Sequence, residues 1–181
     1  SSGNNYEGTF TDGRLNGYGS FRSYLGETYM GEWLDGKMHG DGLYIFSNGS
    51  KYEGEWEHDK RTGYGIYNYA NGNIYEGYFL NGKRNGNGQY KTLIGEIYTG
   101  EWKNDNMDGN GSYTYSNGDV YIGDWIDGMR NGQGILSFSS GKKYKGTFVK
   151  DNIEGKGTMS HINGDTYEGF WSNGVMNGTG N

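Results

Sequence analysis

The chain has 181 residues, of which 31% are hydrophobic and 17% aromatic, and it carries a formal net charge of −6. Globular domains usually hold about 45–50% apolar residues, so a conventional two-layer core is not expected, while the aromatic share is too high for a disordered chain. The negative charge works against non-specific binding to nucleic acid or anionic lipid.

There is no Cys and no Pro. No disulfide framework can therefore staple the fold, and a reducing compartment is the expectation. The absence of Pro speaks against a stiff or Pro-rich linker. No apolar run approaches the roughly 18 residues of a membrane span, and no signal-like start is visible. A soluble, cytoplasmic chain with no transmembrane segment is expected.

In chain order, "SSGNN" at 1–5 aligns with "SSGKK" at 139–143, so the first five residues read as the tail of a preceding repeat. Eight repeats of 23 residues follow: 6–28, 29–51, 52–74, 75–97, 98–120, 121–143, 144–166 and a partial one at 167–181. Each opens on Tyr: Tyr6, Tyr29, Tyr52, Tyr75, Tyr98, Tyr121, Tyr144 and Tyr167. Gly stands two residues after each Tyr, and Phe or Trp four after it, as in Gly54 and Trp56. Gly also recurs 11, 13 and 20 residues after the Tyr, and Gly or Asp seven after it. All 37 glycines fall in these five columns. Such a period marks a repeat architecture.

The Tyr-x-Gly-x-aromatic stretch alternates with a period of two, which predicts a strand with one apolar face, and the later Gly-x-Gly-x-aromatic stretch reads the same way. The connections "SNGS", "ANGN", "SNGD" and "INGD" between repeats are hairpin signals. A three-residue loop with Gly72 in the left-handed conformation would set Tyr75 opposite Tyr67 and keep the rings on one face. The other turn, read as Glu57 to Thr62, would set Tyr52 opposite Tyr67 and Trp56 opposite Gly63. The Asp alternatives at 59, 105 and 151 are expected to take positive φ. The fold class predicted is all-β: an elongated single-layer antiparallel β-meander of tandem 23-residue hairpin repeats, roughly 75 Å long at about 4.8 Å per strand.

On these motifs the chain resembles the MORN-repeat family (membrane occupation and recognition nexus), over its whole length. The resemblance implies a single MORN array over 1–181. It also implies a non-catalytic scaffold, similar to MORN-only cytoskeletal and membrane-associated proteins of protozoan parasites that act in cell division. MORN arrays are also similar to regulatory segments fused to lipid kinases and methyltransferases. Leu136 and Met159 depart from the aromatic pattern.

No nucleophile elbow, phosphate-cradling motif or paired zinc spacing is present, so no catalytic, cofactor-binding or metal site is predicted. His39, His58 and His161 occupy different repeat positions and are expected as separate polar residues. Glu53, Glu55, Glu76, Glu101 and Asp124 are expected on a solvated back face. Basic residues Arg14, Lys37, Lys60, Arg61, Lys83, Arg84 and Arg130 are expected in the long turns. Among them, Lys60, Arg61, Lys83 and Arg84 form a candidate phosphoinositide-binding stripe.

A one-layer sheet should leave an aromatic groove open to protein partners. Its candidate lining is Tyr29, Trp33, Tyr52, Trp56, Tyr75, Phe79, Tyr98, Trp102, Tyr121 and Trp125. Neither end shows a distinct cap, so a longer array or a covering partner is expected. Open strand edges at Tyr6 and beyond Trp171 favour end-to-end pairing, so a homodimer is expected as well, with Tyr167 and Trp171 at a candidate self-association end.

Overall fold

The computed structural model describes residues 3–178; the start of the expected N-terminal tail and the last three residues of the partial repeat lie outside the described residues. The chain divides into two compact units, Ser1–Leu93 and Ile94–Asn181. In the first, the strands are β1 (Asn5–Thr11), β2 (Arg14–Arg22), β3 (Thr28–Leu34), β4 (Lys37–Ile45), β5 (Lys51–Glu57), β6 (Lys60–Asn68), β7 (Ile74–Leu80) and β8 (Lys83–Lys91). In the second they are β9 (Ile97–Lys103), β10 (Asn106–Thr114), β11 (Val120–Ile126), β12 (Met129–Ser137), β13 (Lys143–Val149), β14 (Asn152–Ser160), β15 (Thr166–Ser172) and β16 (Val175–Asn177). Within each unit every strand pairs antiparallel with its chain neighbours, and no helix occurs among the described residues. The protein is an all-β meander of hairpin repeats, as the period-two pattern requires.

Between repeats the register is the expected one. Tyr67 pairs with Tyr75 across a loop closed by Tyr69 N–H to Asn73 O and Gly72 N–H to Tyr69 O, both 2.9 Å. Gly72 takes φ 87°, the left-handed residue that this loop needs. Tyr52 pairs with Tyr67 across the other hairpin.

The turn inside each repeat differs from the expectation. Glu57 pairs with Lys60, so the connection is only His58-Asp59, with φ of 50° and 67°. Positive φ at both positions makes it a type I′ turn, whose twist matches that of the flanking strands. Trp56 therefore faces Arg61 rather than Gly63, and the extra residues of β6 are absorbed in a bulge between Gly54 and Trp56. Asp59, Asp105 and Asp151 do take positive φ. The tighter turn also moves the basic residues. Arg14, Lys37, Lys60, Arg61, Lys83, Arg84 and Arg130 all lie at the first or second position of a strand, not in a long turn.

The bulge has its own support. Glu55 accepts the Tyr64 backbone N–H at 2.9 Å, Glu101 that of Asn110 at 2.9 Å, and Asp124 that of Gln133 at 2.8 Å. These three carboxylates are thus structural ties and not simply a solvated face. A Cβ on Gly63 would run into the Glu55 carboxylate.

The core is one layer of rings. Tyr29, Tyr52, Tyr75, Tyr121 and Tyr144 are fully buried, and the +4 rings from Trp33 to Trp171 are buried except at Phe10. Tyr29, Tyr52, Tyr75, Tyr98, Tyr121 and Tyr144 each lie across the sheet and donate the hydroxyl to a carbonyl three residues on, as Tyr52 does to Glu55 O at 3.0 Å. The Tyr52 ring meets Trp56 edge-on at 5.2 Å and Phe79 of the next repeat at 5.0 Å. The glycine under it has no room for a side chain: a Cβ on Gly65 would sit 2.5 Å from the Tyr52 hydroxyl.

This packing separates two kinds of glycine. Gly65→Ala should cost about 2–3 kcal/mol through overpacking. Gly49→Ala, at φ +87° with nothing within 4 Å of its Cβ, should cost about 1 kcal/mol for the left-handed backbone alone. Urea unfolding followed by tryptophan fluorescence checks this, and equal losses would refute the steric role of Gly65.

Candidate functional site

The ten rings predicted to line an open groove sit between 0% and 7% exposed, so they are core, with Trp56 also touching the groove of the first unit. They cover one another through edge-on contacts between repeats. The accessible aromatic surface on that face comes from a second set, near the ends of the even-numbered strands. Tyr44 and Phe46 lie 4.6 Å apart, Phe46 and Tyr67 5.5 Å, Tyr67 and Tyr69 4.4 Å, and Tyr69 and Tyr90 5.9 Å between centroids. All five are half-buried. They form a continuous ladder across the first unit.

Facing this ladder is the residue nine after each repeat's Tyr. The column reads Leu15, Met38, Arg61, Arg84, Met107, Arg130, Ile153 and Met176, and its three arginines lie over rings. The Arg61 guanidinium lies 5.0 Å from the Tyr67 ring and 5.3 Å from Phe79, and its Nη2 donates to Gly82 O at 2.6 Å. Arg84 lies over Tyr75 and Tyr90 at 5.6 Å and 5.5 Å. In the second unit Arg130 covers Phe148 at 5.2 Å and pairs with Asp151 at 3.2 Å. Of the predicted phosphoinositide stripe, then, Lys60 and Lys83 are exposed, while Arg61 and Arg84 are half-buried against rings.

In the first unit these parts line an open groove of ≈ 320 Å³. Tyr44, Phe46 and Tyr67 line it together with Lys60, Arg61 and Asp59, and Trp56 and Met38 also contribute. Burial pushes the Tyr44 phenol up to about 12, helped by the charge of Glu27 and its hydrogen bond. Tyr52 beneath is raised further by burial, an effect that Arg61 partly offsets.

The opposite face carries exposed Tyr18, Met30, Tyr64 and Tyr78 among acidic residues. Tyr64 meets Tyr78 at 5.6 Å and donates its hydroxyl to Glu76 at 2.5 Å. His39 and His58, expected apart, have ring centroids 6.0 Å apart, because β4 and the following turn are adjacent. His39 Nδ1 is buried without a hydrogen-bond partner. Among the described residues no three potential metal ligands of the His, Cys, Asp or Glu type converge.

A family profile described as MORN repeat matches residues 6–24, 29–51, 52–74, 75–92, 98–120, 121–143, 144–166 and 167–180. The chain belongs to the MORN-repeat family. No curated protein matches it. Among solved structures, the array is similar in fold to the TCP10 domain of Danio rerio CPAP, at 10% identity and TM-score 0.53, covering 93% of this chain and 79% of that one. It is also similar to the TCP domain of Drosophila melanogaster SAS-4 (dCPAP), determined in complex with a proline rich motif of Ana2 (dSTIL). That match has 16% identity and TM-score 0.52, and covers 84% of this chain and 83% of that chain. At these identities the likeness is one of fold.

The Tyr and Trp columns expected to line an open groove are buried in the MORN array, and the accessible rings on that face belong to another column. The signal that could have shown this was the run of Leu, Met, Arg and Ile at one fixed position, which marks side chains beside the Tyr and Trp columns.

The buried phenols give a pH signature. A raised phenol pKa means that the fold favours the neutral form. Its contribution is complete below the ordinary value of 10.0 and is lost as pH rises through the folded value, about 12 for Tyr44. The MORN array should therefore hold its stability to about pH 10 and lose it above, with tyrosinate absorbance rising as the sheet's circular dichroism disappears. Ionisation of all 18 tyrosines near pH 10 with the sheet intact would contradict this.

Proposed function

We propose that this MORN array is a non-catalytic scaffold that binds protein partners on the aromatic face of its sheet and self-associates, in company with the cytoskeleton or a membrane. The observation that carries the reading is the groove itself: half-buried Tyr44, Phe46 and Tyr67 beside Lys60 and Arg61, with no second layer over them among the described residues. Aromatic and Arg side chains of this kind are the ones enriched at interfaces. The similar SAS-4 domain, in complex with a proline rich motif, supports a peptide segment as the type of partner.

Self-association belongs to the same proposal, at the repeat that carries Tyr167 and Trp171. Trp171 is buried, but Phe170, Val175 and Met176 around it are 60%, 65% and 56% exposed. The Tyr167 hydroxyl is buried with no hydrogen-bond partner. A phosphoinositide surface ranks below a protein partner, since the net charge of −6 opposes approach to an anionic membrane.

Light scattering on a size-exclusion column tests the self-association. The expected mass is near twice the 20.2 kDa of the chain, returning to one chain in a Phe170→Glu, Val175→Glu variant. A monomer at all concentrations would remove it. Proximity labelling in cells tests the groove: Lys60→Glu with Arg61→Met should lose the protein partners of the unchanged array. An unaltered partner set would refute the groove.

A further inference from the structure

Resting on that reading, we infer that the groove of the first unit takes an acidic, proline-rich peptide in the polyproline II conformation, running across the strands. The argument is one of pitch and charge. Each MORN repeat contributes two strands about 4.8 Å apart, so equivalent rings recur roughly every 9.6 Å along that direction. Tyr44, Tyr67 and Tyr90 are such equivalents, one from each of three successive repeats, with Phe46 and Tyr69 filling the intervals.

A polyproline II helix has three residues per turn at about 3.1 Å each, so it presents the same face about every 9.3 Å. An α-helix repeats every 5.4 Å or so, and an extended strand about every 6.8 Å. Of the three, only polyproline II places one equivalent side chain on every ring of the column. It has no internal hydrogen bonds to lose and little conformational entropy left to order, which is why aromatic-lined grooves elsewhere bind it.

The charge follows from the basic wall of the same groove. Lys60 and Arg61 line it together with Tyr44 and Tyr67, the Arg61 guanidinium over the Tyr67 ring and Asp59 beside them. Lys83 and Arg84 hold the corresponding positions one repeat later. With prolines against the rings, every third residue of the peptide points at this wall, and a carboxylate there would meet a cation in each of the two repeats. The second unit is a poorer host. The ring column continues there as Tyr113, Leu136 and Met159, and the cation column as Met107, Arg130 and Ile153.

The test uses the whole chain and a synthetic peptide of Pro-Pro-Glu triplets, titrated by tryptophan fluorescence. The expected result is binding about tenfold tighter than that of a Pro-Pro-Lys peptide or a Gly-Ser-Glu peptide of the same length. Arg61→Met with Arg84→Met should lose about tenfold for the acidic peptide. Met already occupies this column at Met38 and Met107, so the variant should keep the sheet's circular dichroism. Equal binding of all three peptides, or none by the Pro-Pro-Glu peptide, overturns the inference.

Panning a random peptide library on the same protein separates this failure from a wider one. Binders without proline that still depend on Arg61 refute the peptide class and leave the scaffold reading standing. A library that yields no groove-dependent binder refutes both.

Discussion

Everything in this fold depends on a tyrosine ring lying down. In a sheet with a second layer, a large side chain can stand upright and be covered from above. Here Tyr52 lies across the strands, meets Trp56 and Phe79 edge-on, and ends on the carbonyl of Glu55. Only a glycine column beneath it allows that. A glycine in a strand costs about 0.5–1 kcal/mol in backbone entropy, whereas full burial of an aromatic side chain stabilises by roughly 1.5–3 kcal/mol. The exchange is favourable in the repeats whose Tyr is buried, and because Phe79 belongs to the next repeat, each unit of stability is shared between neighbours.

Much of this was legible in the sequence, because spacing alone fixes which residues share a face. The pairing of Tyr67 with Tyr75 follows from "ANGN" and the need to keep rings on one side. The turn inside the repeat was legible too, but was read from the wrong residues. Asp12-Gly13, Asp35-Gly36, Asn81-Gly82 and Asp127-Gly128 are the dipeptides that a two-residue type I′ turn favours. Counting residues from Trp56 to Gly63 instead gave a long loop. The bulge that reconciles a short turn with this count could not be inferred from hydrophobic pattern. It depends on Glu55, Glu101 and Asp124 reaching back to a backbone N–H, and a carboxylate at a strand position reads the same whether it faces water or ties a bulge.

The turn column shows how one position is used in two ways. The residue seven after the Tyr donates its N–H to the preceding hairpin, as Gly82 does to Arg61 O at 2.8 Å and Asp59 to Met38 O at 3.1 Å. Where Asp replaces Gly, its carboxylate adds a second bond in the reverse sense, Asp59 accepting from Met38 N–H and Asp151 from Arg130 N–H. The added bond offsets the strain of positive φ in a residue with a Cβ. It also brings a carboxylate beside the cation column, so Arg130 is paired with Asp151. The charge of the aromatic face is thereby adjusted without touching the rings.

The columns that repeat most strictly are therefore the least informative about partners, since Tyr, Trp and Gly there are fully engaged in holding one layer together. On the proposed scaffold reading, recognition falls to the positions that vary: Met38, Arg61 and Arg84 beside the rings, and Tyr67, Tyr90, Leu136 and Met159 along the ladder. In the third and fourth repeats these coincide as an aromatic with a basic residue, Tyr67 with Arg61 and Tyr90 with Arg84, and in the second unit no repeat combines the two. A repeat whose invariant residues build the fold and whose variable residues differ from one hairpin to the next can hold a distinct segment at each stretch of sheet, and that is what a scaffold requires.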